Sequence, residues 1–228
     1  MSGVVAVLLA GGRGRRMGAQ VPKQELELDG KKIYRITAER FAAFPGIDRI
    51  LFVGVADRLD EYQAGLAGIP RLIGVIAGGV ERYDSVWNAL ESLKSDPPEV
   101  VLMHDAVRPF VSERTVADVI RVARESGAVS AAVPATDTIF EIHDGIVTAI
   151  PDRKTMWQVQ TPQGFQYDLL RRAHEDFRRR GGETTDDARL IQSIGHPVRV
   201  VEGTTANLKI TRAEDLTVAS VLYRELTE

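Results

Sequence analysis

Apolar residues recur along this chain in short unbroken runs, separated by longer stretches in which they return every three or four positions. Val4–Leu9 is one such run and reads as a buried strand, whereas Ile33–Phe44 has helical spacing and is closed by Pro45-Gly46. Arg49–Val53 predicts a second strand, Asp57–Gly65 a polar helix, Arg71–Ile76 a third strand and Glu81–Leu93 a helix. Glu99–Met103 predicts a fourth strand, Ser112–Ser126 a helix opened by a Ser112 cap, and Val129–Val133 a fifth strand. Alternation this regular predicts an α/β fold with a mostly parallel, doubly wound sheet, whose ligands gather at the carboxyl ends of the strands. An α+β arrangement of the same elements is the alternative.

The rhythm then breaks. Thr138–Ile142 and Ile146–Ile150 flank Asp144-Gly145, a two-residue hairpin signal, so a β-hairpin arm is expected at about 136–158. It could be a lid, a dimerisation arm or a plain surface excursion. Helices are predicted over Tyr167–Arg179 and Thr185–Ser193, and late strands over Val198–Val201 and Asn207–Ile210. A final helix is expected from Thr211, with Glu214 three residues on at capping-box spacing. With no repeat, low-complexity tract or linker, residues 1–228 read as a single domain carrying an arm.

Composition narrows the classes. The 228 residues are 44% hydrophobic and 27% charged, ordinary for a globular chain. A formal net charge of -3 offers no overall attraction for nucleic acid or an anionic membrane, so neither is expected as a partner. The absence of cysteine excludes disulfides and thiolate metal sites. The apolar run at the start is too short to span a bilayer and lacks the basic flank of a signal peptide, so a cytoplasmic location is expected.

Charge clusters locally where it is scarce globally. The first strand is followed by Ala10-Gly11-Gly12-Arg13-Gly14-Arg15-Arg16-Met17-Gly18, then Pro22-Lys23, with four cations and no acid before Glu25. Glycines let backbone N–H groups approach phosphate oxygens, and the cations suit a triphosphate with its magnesium. Two common phosphate motifs are excluded. A dinucleotide fingerprint needs glycine where Met17 stands, and a P-loop needs serine or threonine where Gln24 follows Lys23.

Other segments fall where an open sheet binds ligands. His104-Asp105-Ala106-Val107-Arg108-Pro109 follows the fourth strand; its acid and base, three apart, could pair locally or serve a hydroxyl, metal or phosphate. His104 beside an apolar strand is given no catalytic role. Gly78-Gly79 through Ser85 opens a helix and suits hydrogen bonding to a base edge, or is simply a capped turn. Arg153, Thr161-Pro162-Gln163 and Asn207-Leu208-Lys209 are unremarkable when taken singly.

Together, AGGRGRRMG with PKQ, GGVERYDSV, HDAVRP, ATDTI, DRKTMWQVQTPQ, TTDDA and NLKITRAEDL resemble the 2-C-methyl-D-erythritol 4-phosphate cytidylyltransferase family of the non-mevalonate isoprenoid pathway. The blocks fall in order along nearly the whole chain. The resemblance implies a Rossmann-like nucleotidyltransferase fold and a homodimer joined through the arm. It also implies Mg2+ or another divalent cation, with CTP and a small polyol phosphate as substrates and pyrophosphate released. Arg16 and Lys23 match the family's transition-state stabilisers, and Arg153 and Lys209 the pair that positions the substrate phosphate. Asp105, Arg108 and Thr138 match further substrate contacts, with Thr138 and Arg153 expected to reach the partner's site. Ala10, Gly11, Gly12, Gly14, Gly79 and Ser85 match the nucleotide-binding segments. Val80, Val107 and Ala206 depart from the family's usual acid, alanine and acid.

Ribitol 5-phosphate cytidylyltransferases share most of these blocks; the Gly14–Met17 stretch, the compact PKQ spacing and DRKTMW favour the erythritol reading. A nicotinamide dehydrogenase would need the missing fingerprint. A non-catalytic nucleotide sensor would have little need of Arg153 and Lys209.

Overall fold

A computed structural model describes residues 3–11 and 23–227. The elements are β1 (Val4–Leu9), β2 (Glu27–Leu28), β3 (Lys31–Lys32), α1 (Ile33–Ala43), β4 (Arg49–Gly54), α2 (Leu59–Gly65), β5 (Leu72–Ala77) and α3 (Arg82–Ser92). There follow β6 (Val100–Asp105), α4 (Glu113–Ser126), β7 (Ala128–Pro134), β8 (Glu141–His143), β9 (Ile146–Ala149) and β10 (Trp157–Gln166). The chain continues through α5 (Tyr167–Arg180), α6 (Asp187–Ser193), β11 (Arg199–Glu202) and α7 (Ala213–Thr227).

The apolar runs pair into one seven-stranded sheet in the order β11-β7-β10-β6-β1-β4-β5. Strand β1 shows why this sheet is covered on both sides. Val4, Ala6 and Leu8 join a core containing Tyr34 and Phe41 of α1, Tyr62 of α2 and Val119 of α4. The alternate residues Val5, Val7 and Leu9 join a second core with Val86 of α3 and Leu170 of α5. Successive strand residues point to opposite faces, so an unbroken apolar run demands two covering layers. Each such buried side chain contributes roughly 1.5–3 kcal/mol. The doubly wound expectation holds. A third cluster joins Ile36 of α1, Phe110 and Ile210 to Ala219 of α7.

Three sequence expectations need correction. Strand β10 has no counterpart among the predicted strands. It lies antiparallel between β6 and β7, and its polar Gln158, Gln160 and Thr161 carry no apolar run. Pro162 is tolerated because the pairing with β7 shifts register between Val159 and Gln163, where no ladder donor is needed. Asn207–Ile210 is not a strand. Its apolar residues pack, but the backbone N–H groups of Asn207 and Leu208 turn back to Thr204 and Ala206. Finally, α7 begins at Ala213, and the acid at its entry is Asp215 rather than Glu214. Asp215 accepts from the backbone N–H groups of Thr211 and Arg212 and from the Thr211 hydroxyl.

The expected Ser112 cap is present, accepting from the Thr115 N–H at 3.1 Å. The hairpin is present and shorter than expected: β8 and β9 pair antiparallel through Asp144 and Gly145, at φ of 49° and 78°. Every residue of both strands is exposed. No described helix is long and apolar enough to cross a membrane.

Candidate active site

Four parallel strands, β1, β4, β5 and β6, deliver their carboxyl ends to one edge of the sheet. A cavity of about 250 Å3 opens there, lined by Ala10 and Gly11 after β1, Gly79 to Arg82 and Ser85 after β5, Asp105 at the end of β6, Val107 just beyond it, and Lys209. Open α/β sheets bind ligands at this edge because neighbouring loops diverge there.

At one end, the loop after β5 is drawn tight over the start of α3. The Ser85 hydroxyl accepts from the Gly79 N–H at 3.0 Å, and the Glu81 N–H reaches Asp84 at 3.4 Å. Glycine is required at 79: an added Cβ would lie 2.2 Å from Asp84 Cβ. Ala10 is buried, and its carbonyl accepts from Gln24 Nε2 at 2.7 Å. Gln24 also donates to the Tyr62 hydroxyl, which donates to Glu25. This chain of bonds ties the segment that returns from the cationic loop to the end of β1. Val80, at the rim, is 94% exposed.

At the other end, Asp105 is the hub of a cationic cluster. Its Oδ2 meets Lys209 Nζ at 2.9 Å and Arg108 Nε at 3.4 Å. Burial alone would raise this carboxyl, but Lys209, Arg82 and Arg108 together hold it well below the usual carboxylate range. Arg108 also donates to the Asn207 carbonyl at 2.8 Å, tying the loop after β6 to the segment that carries Lys209. Asn207 in turn donates to the Thr161 carbonyl. Because β10 runs against β6, Thr161 lands beside Asp105 and accepts its N–H at 3.1 Å.

His104 lies directly beneath this cluster, fully buried against Phe41. Its Nε2 contacts the Arg108 carbonyl at 3.0 Å and its Nδ1 the Thr161 hydroxyl at 3.1 Å. A carbonyl can only accept, so Nε2 carries the proton and Nδ1 accepts from Thr161. Burial is the main reason its pKa falls to about 4. The ring is a neutral strut between the Arg108 carbonyl and the Thr161 hydroxyl.

The sequence-derived residues divide into three groups. Ala10, Gly11, Gly79, Ser85, Asp105 and Lys209 line the cavity, and Arg108 is joined to it through Asp105. Thr138 and Arg153 are exposed on the arm and do not line it; Arg153 Nη1 donates to the Thr136 carbonyl at 2.8 Å. Gly12, Gly14 and Arg16 lie outside the described residues, and Lys23 begins a short 3-10 turn while its side chain is likewise outside them. Arg82 and Gln24 line the cavity without having been singled out. Arg82 gave no local signal because its partner, Asp187, lies 105 residues away.

The family model for 2-C-methyl-D-erythritol 4-phosphate cytidylyltransferase matches residues 4–225. The chain belongs to that family. A relative of the same name from Geobacter metallireducens is 42% identical over 97% of this chain and 98% of its own length. Another, from Desulforamulus reducens, is 38% identical over 98% and 97%. Among solved structures, the 4-diphosphocytidyl-2C-methyl-D-erythritol synthase of Anaerococcus prevotii superposes with a TM-score of 0.86 at 31% identity, covering 98% of this chain and 96% of that one. The Thermus thermophilus cytidylyltransferase gives 0.76 at 34% identity, covering 98% and 100%. Membership accounts for the distribution of the blocks: GGVERYDSV, HDAVRP and NLK are remote in sequence yet each contributes to the wall of one cavity.

Proposed function

We propose that this cytidylyltransferase moves CMP from CTP onto 2-C-methyl-D-erythritol 4-phosphate, giving 4-diphosphocytidyl-2-C-methyl-D-erythritol and pyrophosphate for isoprenoid precursor synthesis. The observation that carries the reading is the polarity of the cavity, with a tight glycine and serine loop at one end and the Asp105–Lys209–Arg108 cluster at the other. Cytosine and ribose fit the first end, against Ala10, Gly11, Gly79 and Ser85. The polyol phosphate fits the second.

The nucleophile is a phosphate oxygen. A phosphomonoester has a second pKa of about 6, so that oxygen is already ionised near neutrality and needs no general base. This agrees with His104, whose two ring nitrogens are both engaged within the fold. The obstacle is repulsion between two anions, about 4 kcal/mol for unit charges 4 Å apart at an effective dielectric near 20. Lys209 is held in place by Asp105 before substrate arrives, so its charge is preorganised. Asp105 is also placed to accept a hydroxyl of the polyol. Arg16 and Lys23 steady the charge that develops on the α-phosphate and the departing pyrophosphate.

Among the described residues no three carboxylate or histidine side chains converge on a point. Asp105 is engaged by Lys209 and Arg108, and the Glu81 carboxylate caps α3, so a magnesium ion here would be held chiefly by triphosphate oxygens and water. When bound, the ion neutralises part of the triphosphate charge. Thr138 and Arg153, away from their own cavity, complete the site of a second copy, and the exposed Ile142, Ile146 and Trp157 of the arm are covered in that homodimer.

Phosphorus NMR of the protein with CTP, magnesium and methylerythritol phosphate tests the reading. Expected are paired diphosphate signals of the product with free pyrophosphate. Unchanged CTP, or product formed only with ribitol 5-phosphate, would refute the assigned substrate.

A further inference from the structure

Arg82, the first residue of α3, lines the cavity alongside Asp105 and Lys209, and its side chain is 27% exposed. Its Nη1 donates to Oδ2 of Asp187, the first residue of α6. The other oxygen of Asp187 meets Nε2 of His174 on α5 at 3.0 Å, and both Asp187 and His174 are 1% exposed. Burial would push the Asp187 carboxyl up, but the Arg82 charge and the His174 hydrogen bond outweigh it and hold the group ionised, at about 2. Next to it in sequence, Asp186 caps α6 by accepting from the Ala188 N–H at 2.7 Å, so the backbone beneath Asp187 is itself fixed.

The result is a relay from α5 through α6 to the cavity wall. A guanidinium presents five N–H donors. One is committed to Asp187, which sets the orientation of the plane and leaves other donors for a ligand. Arg82 also helps hold the Asp105 carboxyl low, together with Lys209 and Arg108, so its charge acts at the phosphate end of the cavity.

We propose that Asp187, steadied by His174, is a positioning residue for Arg82, and that Arg82 meets the phosphate of the polyol substrate beside Lys209. The identity of that substrate rests on the transferase reading; the relay itself rests on the geometry above.

The test is a double-variant cycle of Arg82→Gln and Asp187→Asn. Methylerythritol phosphate is titrated by calorimetry in the presence of an α,β-methylene CTP analogue, which blocks turnover, and inorganic phosphate is titrated separately. Circular dichroism and melting confirm that each protein is folded. Each single variant is expected to weaken phosphate binding by roughly tenfold to a hundredfold, the scale of one charge-assisted hydrogen bond. The double variant should be no weaker than Arg82→Gln alone, because Asp187 acts only through Arg82. Additive losses, or a folded Asp187→Asn protein with full affinity, would overturn the proposal. So would a wild type that binds neither phosphate. If Asp187→Asn does not fold, His174→Gln replaces it in the cycle, with a severalfold loss expected only while Arg82 is present and an unchanged affinity counting against the relay. Wild type that binds inorganic phosphate but ignores the polyol phosphate refutes the transferase reading alone, and the cycle is then scored on inorganic phosphate.

Discussion

Replacing His104 with Gln should flatten the dependence of stability on pH between neutrality and mild acid. The ring is fully buried, and its pKa is lowered from 6.5 to about 4, chiefly by desolvation. The unfolded chain therefore takes up this proton first as pH falls. Stability from this group is complete above about pH 6.5, declines through the window below it, and levels off near pH 4. Linkage between those two values gives a loss of about 2 kcal/mol on going from pH 7.5 to 5.0. The assay is urea unfolding of wild type and His104→Gln at both pH values. The other three histidines are present in both proteins and cancel in the difference. Glutamine can keep a donor toward the Arg108 carbonyl or an acceptor for Thr161, so the variant should fold with lower stability at pH 7.5. Its further loss at pH 5.0 should be smaller than that of wild type by about 2 kcal/mol. Equal losses in the two proteins would refute the neutral-strut assignment.

Lys209→Met should lower kcat/KM by roughly 100- to 1,000-fold, the scale of one preorganised donor, and should also lower the melting temperature because the largely buried Asp105 carboxylate loses its nearest cation; near-normal turnover would remove it from the mechanism. Gly79→Ala should raise KM for CTP by roughly tenfold or more, since the new Cβ would sit 2.2 Å from Asp84 Cβ and the loop must shift; an unchanged KM would place the nucleotide elsewhere. Lys23→Ala should cut kcat by roughly 100-fold. Mixing that variant with Arg153→Ala should restore partial activity through hybrid sites, and no recovery after demonstrated subunit exchange would count against an arm that reaches its partner.

The covering of the sheet was legible because Val4–Leu9 leaves no polar face, and both faces of such a strand must be buried. The Ser112 cap and the Asp144-Gly145 turn were legible for a similar reason: each is decided within four residues. Strand β10 was hidden because its pairing is made by backbone groups of residues such as Gln158, Gln163 and Gly164, whose side chains carry no apolar period. The apolar spacing of Leu208 and Ile210 predicted a ladder that does not form, because packing against Val107 and Phe110 gives the same spacing without one. In the site, the blocks named the glycine loop, Asp105 and Lys209, since each carries its chemistry locally. They could not reveal Asp105 as a shared hub or Asp187 as the anchor of Arg82. Those depend on charges that meet only after α3, α6 and the segment before α7 are brought to the same edge of the sheet.

The central claim is that one cavity joins a cytidine triphosphate to a polyol phosphate, and it is tested most directly by pyrophosphate release with each of the four common nucleoside triphosphates crossed against methylerythritol phosphate and ribitol phosphate. The account predicts rapid release only where CTP meets methylerythritol phosphate, with negligible release from CTP alone. Release that is indifferent to the polyol, or greatest with another triphosphate, would contradict it.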